Sequence, residues 1–311
     1  MQITLRSDGR EIKSHGDYAF PVLVSPERLD AYEMGSFACH WHPEIEFTLI
    51  LTGEILYQVN DRTYHLKKED GVFCNANMLH TGRHADSHDC TYLSVTVNPS
   101  LLYGYEASLL QTKFIQPVTE NPLLPSASFS REVPWEREVL SHLDTIRQLW
   151  QEPPRSYELR LLTELYQIWI LLFDHLDLDA RPSSGDVREL ERLRRIVTFI
   201  HGHYMEHISL EDISGCVNMC KSECCRLFKR NMNQPLFDYL LHYRIRQSIP
   251  LLVQGKDSIT DISLQCGFSS PSYYTKLFRK FMGCTPREYA KSAHAEKRGC
   301  REIDSLNQGQ T

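Results

Sequence analysis

No run of about 18 uninterrupted apolar residues occurs anywhere in the 311-residue chain, so a membrane-spanning helix is not expected. The opening Met1-Gln-Ile-Thr-Leu-Arg lacks the basic and then apolar stretch of a secretion signal. Without such a leader, the ten cysteines are expected to be reduced thiols in a cytoplasm rather than disulfide staples. A positive net charge is missing too: 34 Lys and Arg face 40 Asp and Glu, a formal −6. Taken as one sum, that charge argues against a nucleic-acid binder. No residue type dominates, so the composition is that of an ordinary globular protein with room for two or three cores.

The charge changes meaning once it is divided along the chain. Residues 1–186 carry 15 bases and 27 acids, whereas residues 187–290 carry 15 bases and 10 acids. An acidic front and a basic back suggest a module that does not touch DNA followed by one that does.

Within the basic part, residues 259–289 (ITDISLQCGFSSPSYYTKLFRKFMGCTPREY) predict helix, tight turn, helix and capped exit. Gly267 supplies the positive φ that a short interhelical turn needs. Ser269 and Ser270 can cap the next helix, and Pro271 falls near its first position, where a missing N–H costs nothing. Tyr274, Leu277, Phe278 and Phe281 recur at helical spacing and form one apolar face. Gly283 stands where a left-handed C-cap belongs. Fifty residues upstream the pattern repeats: Phe228-Lys229-Arg230 matches Phe278-Arg279-Lys280, and Tyr239 matches Tyr289. Asn218 takes the place of Gly267, and Asn tolerates the left-handed region better than most residues.

These tandem units resemble the DNA-binding domain of the AraC/XylS family of transcription regulators, and GFSSPSYYTKLFRKFMGCTPREY is similar to that family's signature. The resemblance implies base-facing positions at Ser222, Cys225 and Arg226 in the first unit, and at Pro271, Ser272, Thr275 and Lys276 in the second. Lys229, Arg230, Arg279, Lys280 and Arg287 are implied phosphate contacts or a solvated basic face. The chain departs from the family at Cys220, where Ser is usual as the cap. It departs again at Pro250, inside the helix expected over 234–253 that joins the two units. Proline there predicts a kink or an early end.

The acidic part reads differently. From Tyr18 to Pro99, short β-like runs alternate with turn signals such as Asn60-Asp61, Gly53 and Gly71, which predicts a small β-barrel or double-sheet jelly roll. The even spacing of His40, His42 and Glu46 would place them on one face of a strand pair. Together with His80 they resemble the two cupin motifs, although Glu69, Asn75 and Asn77 replace the usual residues of the second. AraC-type regulators often carry such a barrel as a sensor. His40, His42, Glu46 and His80 are therefore the candidate effector-binding residues. Three imidazoles and a carboxylate could also hold a divalent metal, or the same groups could line a metal-free pocket. His65, His84 and His88 read as surface residues.

Residues 101–134 look irregular. Two helices then follow, over 134–150 and 155–176, and the stretch Leu165–Phe173 is apolar nearly all round, so both of its faces are expected to be buried. Such a hairpin could form a dimer seam or lie buried against its own barrel.

The expectation is an α+β chain: a cupin-like sensor barrel over 1–134, a helical hairpin over 135–177, a linker over 178–186, a double helix-turn-helix over 187–290 and a polar tail over 291–311. The resemblance implies a cytoplasmic homodimer that binds double-stranded DNA under the control of a small effector of the carbohydrate class, with RNA polymerase as a further partner and no membrane. No cofactor follows beyond the open question of the metal. The alternative is a metal-dependent cupin enzyme fused to a DNA-binding domain.

Overall fold

The computed structural model of the chain describes residues 3–6, 9–85, 89–178 and 183–292. They form two compact units, one of residues up to 197 with 230–233, the other of residues 198–229 and those from 234 onward.

The first unit is built on strands β1 (Val22–Arg28), β2 (Ser36–His40), β3 (Ile45–Thr52), β4 (Glu54–Val59), β5 (Arg62–Lys67), β6 (Gly71–Cys74), β7 (His80–His84), β8 (Thr91–Val97) and β9 (Ser126–Phe129). They pair into a five-stranded sheet, β1-β8-β3-β6-β9, and a four-stranded sheet, β2-β7-β4-β5. The Asn60-Asp61 turn closes the β4–β5 hairpin, with Asn60 left-handed at φ 48°.

Alternation along β3 and β8 decides what faces what. Ile45, Phe47 and Leu49, with Leu93, Val95 and Val97, pack beneath the hairpin of α3 (Pro134–Gln151) and α4 (Tyr157–His175), which contributes Val139, Leu143, Leu165, Ile168 and Leu172. The intervening residues turn toward the other sheet, where Ile50 and Tyr92 meet Phe37, Ile55 and Tyr57. Both faces of β3 are therefore covered.

Three expectations need correction in this unit. Residues 101–134 are not irregular throughout. They contain α1 (Ser100–Tyr103, begun one residue earlier), a π-type turn (Gln111–Ile115), α2 (Gln116–Thr119) and β9, which adds an edge to the five-stranded sheet by pairing with β6. Ser126-Ala-Ser-Phe is too short and too small-sided to show a hydrophobic period. Residues 165–173 are not buried all round: Ile168 is fully buried against the barrel, whereas Ile170 is 51% exposed. The linker expected over 178–186 is shorter, because α5 (Ser184–His203) begins inside it. Asp186 N donates to Ser183 Oγ and Ser183 N donates to Asp186 Oδ2, a reciprocal helix-start pair hidden in a stretch that looks like linker. Residues 179–182 lie outside the described chain.

The second unit carries α6 (Leu210–Cys216), α7 (Lys221–Met232, whose residues from Arg230 belong to the first unit), α8 (Leu236–Gln254), α9 (Ile259–Gln265) and α10 (Pro271–Met282). Ser209 and Asp212 form a capping box on α6, Ser258 caps α9 and Ser270 caps α10. Asn218 and Gly267 hold the two turns at φ 50° and 79°. A Cβ on Gly267 would come within 2.3 Å of Tyr204 O, so this turn excludes every side chain. Pro250 does not end its helix: α8 continues to Gln254 and closes on left-handed Gly255. The expected tail beyond residue 292 lies outside the described residues. Among the described residues, no helix is long and apolar enough to cross a membrane.

Candidate functional site

The interior of the first unit turns polar at one end. β3 directs Glu46 and Thr48 inward and β8 directs Ser94 and Thr96 inward, all four buried. Glu46 Oε1 accepts from Tyr57 OH at 3.0 Å and from Thr48 Oγ1 at 3.1 Å, and Oε2 accepts from Thr96 Oγ1 at 3.4 Å. A buried carboxylate needs such donors, and here three hydroxyls fix its orientation.

His40, His42 and His80 gather beside Glu46. All three are buried, and one ring nitrogen of each lies within 4.8 Å of the others. Their convergence does not come from one face of a strand pair, as the even spacing suggests. His40 ends β2, in one sheet, while Glu46 lies on β3, in the other. His42 belongs to neither strand and sits in the bend between them. His80 is the direct ladder partner of His40, with ring centroids 4.1 Å apart.

Each Nδ1 faces a backbone carbonyl, of Ala38 for His40 (2.8 Å), of Glu44 for His42 (3.2 Å) and of Met78 for His80 (3.0 Å). A carbonyl only accepts, so each Nδ1 carries the proton and Nε2 is left to the interior. His80 Nε2 has no hydrogen-bond partner among the described residues, and His42 Nε2 meets only Glu46 Oε2, at 3.5 Å and outside hydrogen-bond geometry. Burial, reinforced by the charges of its histidine neighbours, pushes His40 well below its ordinary value, and burial, with His42 beside it, pushes His80 down to about 4. Both are neutral at pH 7, with a bare lone pair on Nε2. Burial opposes the charge on Glu46, but the surrounding histidines outweigh it and hold that carboxyl below the usual range.

The first twenty residues supply two site residues that sequence reasoning missed. Residues 9–20 form an arm over this end of the barrel, bridged at Arg10 to Trp41. His15 sits between Glu11 Oε2 (3.0 Å) and Glu44 Oε2 (3.3 Å). Burial works against its charge, yet bonds to the two carboxylates raise it to about 9, so it is an imidazolium at pH 7. Glu11, Lys13 and His15 join Glu27, Tyr32 and Thr96 in lining a cavity of about 40 Å³. The other histidines fall elsewhere. His65 is exposed and paired with Glu54. His84 is not a plain surface residue, because its ring lies where a Cβ on Gly35 would stand. His88 lies outside the described residues.

In the second unit the duplicated register places matching side chains on α7 and α10. Ser222, Arg226 and Lys229 are exposed on one face of α7, and Ser272, Lys276 and Arg279 on the corresponding face of α10. Cys225 and Thr275 are half-buried beside them, as is Pro271, and the Thr275 hydroxyl donates to Pro271 O. Lys280 and Arg287 are also exposed. Arg230 is exposed but engaged in an ion pair with Glu189. Tyr273, 48% exposed next to Ser272, adds an aromatic ring to this surface. At the departure from the family pattern, Cys220 Sγ approaches Ser222 Oγ at 3.2 Å.

Comparison with known proteins matches both units. The AraC-like ligand binding domain matches residues 25–168, and a helix-turn-helix domain matches residues 213–292. An uncharacterized HTH-type transcriptional regulator of Bacillus subtilis, YdeC, is 32% identical over 91% of this chain and 96% of its own. The lactose operon transcription activator of Staphylococcus xylosus is 25% identical over 78% of this chain and 81% of its own. The melibiose operon regulatory protein of Escherichia coli K12 is 22% identical, covering 81% and 83%. With such a relative along nearly its whole length, and with the two domain types in this order, the chain belongs to the AraC family of transcription regulators.

Proposed function

We propose that this DNA-binding regulator reads a small polar effector at the buried cluster of His40, His42, Glu46 and His80. The observation that carries the reading is two orphaned imidazole nitrogens inside a ligand-binding domain, beside a carboxylate oriented by three hydroxyls. Buried polar groups keep partners, so atoms left without one mark a place where a ligand completes the set. The carbohydrate class suits an interior of carboxylates, hydroxyls and the aromatic rings of Phe37, Tyr32 and Tyr92, and two relatives are named for sugar operons. A cavity of about 40 Å³ holds an ion or a water or two, far short of the ~300 Å³ of a small-molecule site. A sugar therefore needs the arm over residues 9–15 to move outward.

The same donors fit a divalent cation: His40, His42 and His80 would offer their Nε2 atoms and Glu46 an oxygen. Such an ion would supply a Lewis-acidic point to which effector oxygens can bind. The relatives are transcription regulators, and the chain's output is taken to be promoter control, through occupancy or contact with RNA polymerase, by a cytoplasmic homodimer on double-stranded DNA. Ser222, Cys225, Arg226, Pro271, Ser272, Thr275 and Lys276 are assigned to bases, and Lys229, Arg279, Lys280 and Arg287 to phosphates. Arg230 joins them only if it leaves Glu189.

The double variant His42→Ala with His80→Ala tests the sensor. Isothermal calorimetry against mono- and disaccharides, with DNA binding measured in their presence and absence, should show effector response lost and basal DNA affinity kept. A double variant that responds like the parent would move the sensing site elsewhere.

A further inference from the structure

The arm brings a second carboxylate to the histidines. Glu11 N donates to Trp41 O at 3.0 Å and Trp41 N donates to Gly9 O at 3.3 Å, so the arm backbone is stitched to the residue between His40 and His42. This stitching hangs the Glu11 side chain over the end of β2, with Oε2 3.7 Å from His40 Nε2. On the far side, Glu46 Oε2 lies 3.5 Å from His42 Nε2. The three imidazoles are thus flanked by one carboxylate from the barrel and one from the arm.

Donors bound to one cation at about 2.1 Å stand about 3.0–3.5 Å apart in octahedral or tetrahedral arrangements. Measured to its nearest imidazole, Glu46 lies at the upper end of that range at 3.5 Å and Glu11 just beyond it at 3.7 Å, and side-chain rotations would carry both carboxylates toward the three nitrogens. Two carboxylates also match the charge of a divalent ion bound by imidazoles, which one carboxylate does not.

We infer that Glu11 is a metal-ligand residue, and that a divalent cation of the Zn²⁺ or Co²⁺ class among His40, His42 and His80 fastens the arm to the barrel through it. The inference rests on the barrel cluster being the sensing site and adds the arm to it. The competing role for Glu11 is that it does no more than hold His15, its partner at 3.0 Å. Because the arm also fills the space that a sugar would need, cation and arm together set how easily that space opens.

Co²⁺ is the probe, since its visible absorption reports coordination directly. The full-length protein should bind one Co²⁺ with a visible band, and hydrogen exchange at the amides of Glu11 and Trp41 should slow when it does. Glu11→Gln keeps the side-chain size, should weaken Co²⁺ binding by at least about 10-fold, and should abolish the added arm protection. Glu11→Asp, which keeps the charge, should bind more tightly than Glu11→Gln. The inference is overturned if Glu11→Gln binds Co²⁺ as the parent does, with equal arm protection; the histidine cluster would then stand without the arm. It is equally overturned if the parent takes up no Co²⁺. In that case the sugar response, tested separately, still decides whether the barrel is the sensor.

Discussion

Helix α4 presents two isoleucines a residue apart whose surroundings differ completely. Ile168 is fully buried against the sheet, and Ile170 is 51% exposed. Leu159, 71% exposed three turns earlier, lies on the same face as Ile170. Homodimerisation through α4 therefore has to use the Leu159–Ile170 face, and Ile168 is unavailable to it. Ile168→Ala should open a cavity in the core and cost about 2–5 kcal/mol, a fall in Tm of several degrees for a unit of this size. Ile170→Asp should change monomer stability by no more than about 0.5 kcal/mol. In a twofold interface each substitution counts twice. Half an isoleucine surface contributes about 1 kcal/mol, so losing it in both copies removes about 2 kcal/mol, and two unpaired carboxylates in an apolar seam add more. The dimer should weaken by at least about 30-fold. Sedimentation across a dilution series reads the association, and thermal unfolding by circular dichroism reads the core. An Ile170→Asp variant that stays dimeric at the dilution where the parent does would refute the seam. An Ile168→Ala variant that melts with the parent would refute the assignment of that residue to the core.

Two further outcomes are expected. His201 is buried among Tyr239 and Tyr243 and is pushed down to about 3, by burial first and then by the charge of Arg246. Below about pH 6.5 the unfolded chain therefore binds more protons than the folded one, and stability should fall as pH drops from about 6.5 toward 3, by at most about 1.4 kcal/mol per unit. Denaturant unfolding of His201→Phe at pH 7 and pH 5 should show a flatter acid limb; a variant as acid-sensitive as its parent would refute the cause. On the DNA side, Arg226→Ala should cost about 1–3 kcal/mol of discrimination at one base position, while Lys229→Ala should weaken binding evenly across sequences and reduce its salt dependence. A selection from random duplexes in which both variants lose affinity alike would merge the two roles.

How much of this was legible in the sequence depends on the range of the forces involved. The second unit announces itself because its signals are local. Ser270 caps the helix that starts at the next residue by accepting from Tyr273 N, Gly267 must take a positive φ in its own turn, and both messages fit within a short window. Pro250 marks the boundary of that method. The sequence registers a helix breaker, but packing along α8, with Ile249 and Leu252 buried on either side of it, carries the helix through. The histidine cluster was legible for a reason that is only partly right. Even spacing assumes that the two strands share one face as a pair, whereas the chain turns a corner at His42 and passes from one sheet to the other, so the convergence is a tertiary fact. His80 neighbours His40 because β2 and β7 pair, and no local pattern encodes that register. Glu11 and His15 lie beyond sequence reading altogether. In an irregular polar stretch their chemistry resembles that of any surface Glu and His. It becomes specific only where the arm meets Trp41 and the barrel lowers the dielectric around them. Ile168 and Ile170 make the same point within one helix. Two identical side chains differ in role by the 200° that separates them around its axis, and which side meets the sheet is decided by strands a hundred residues away.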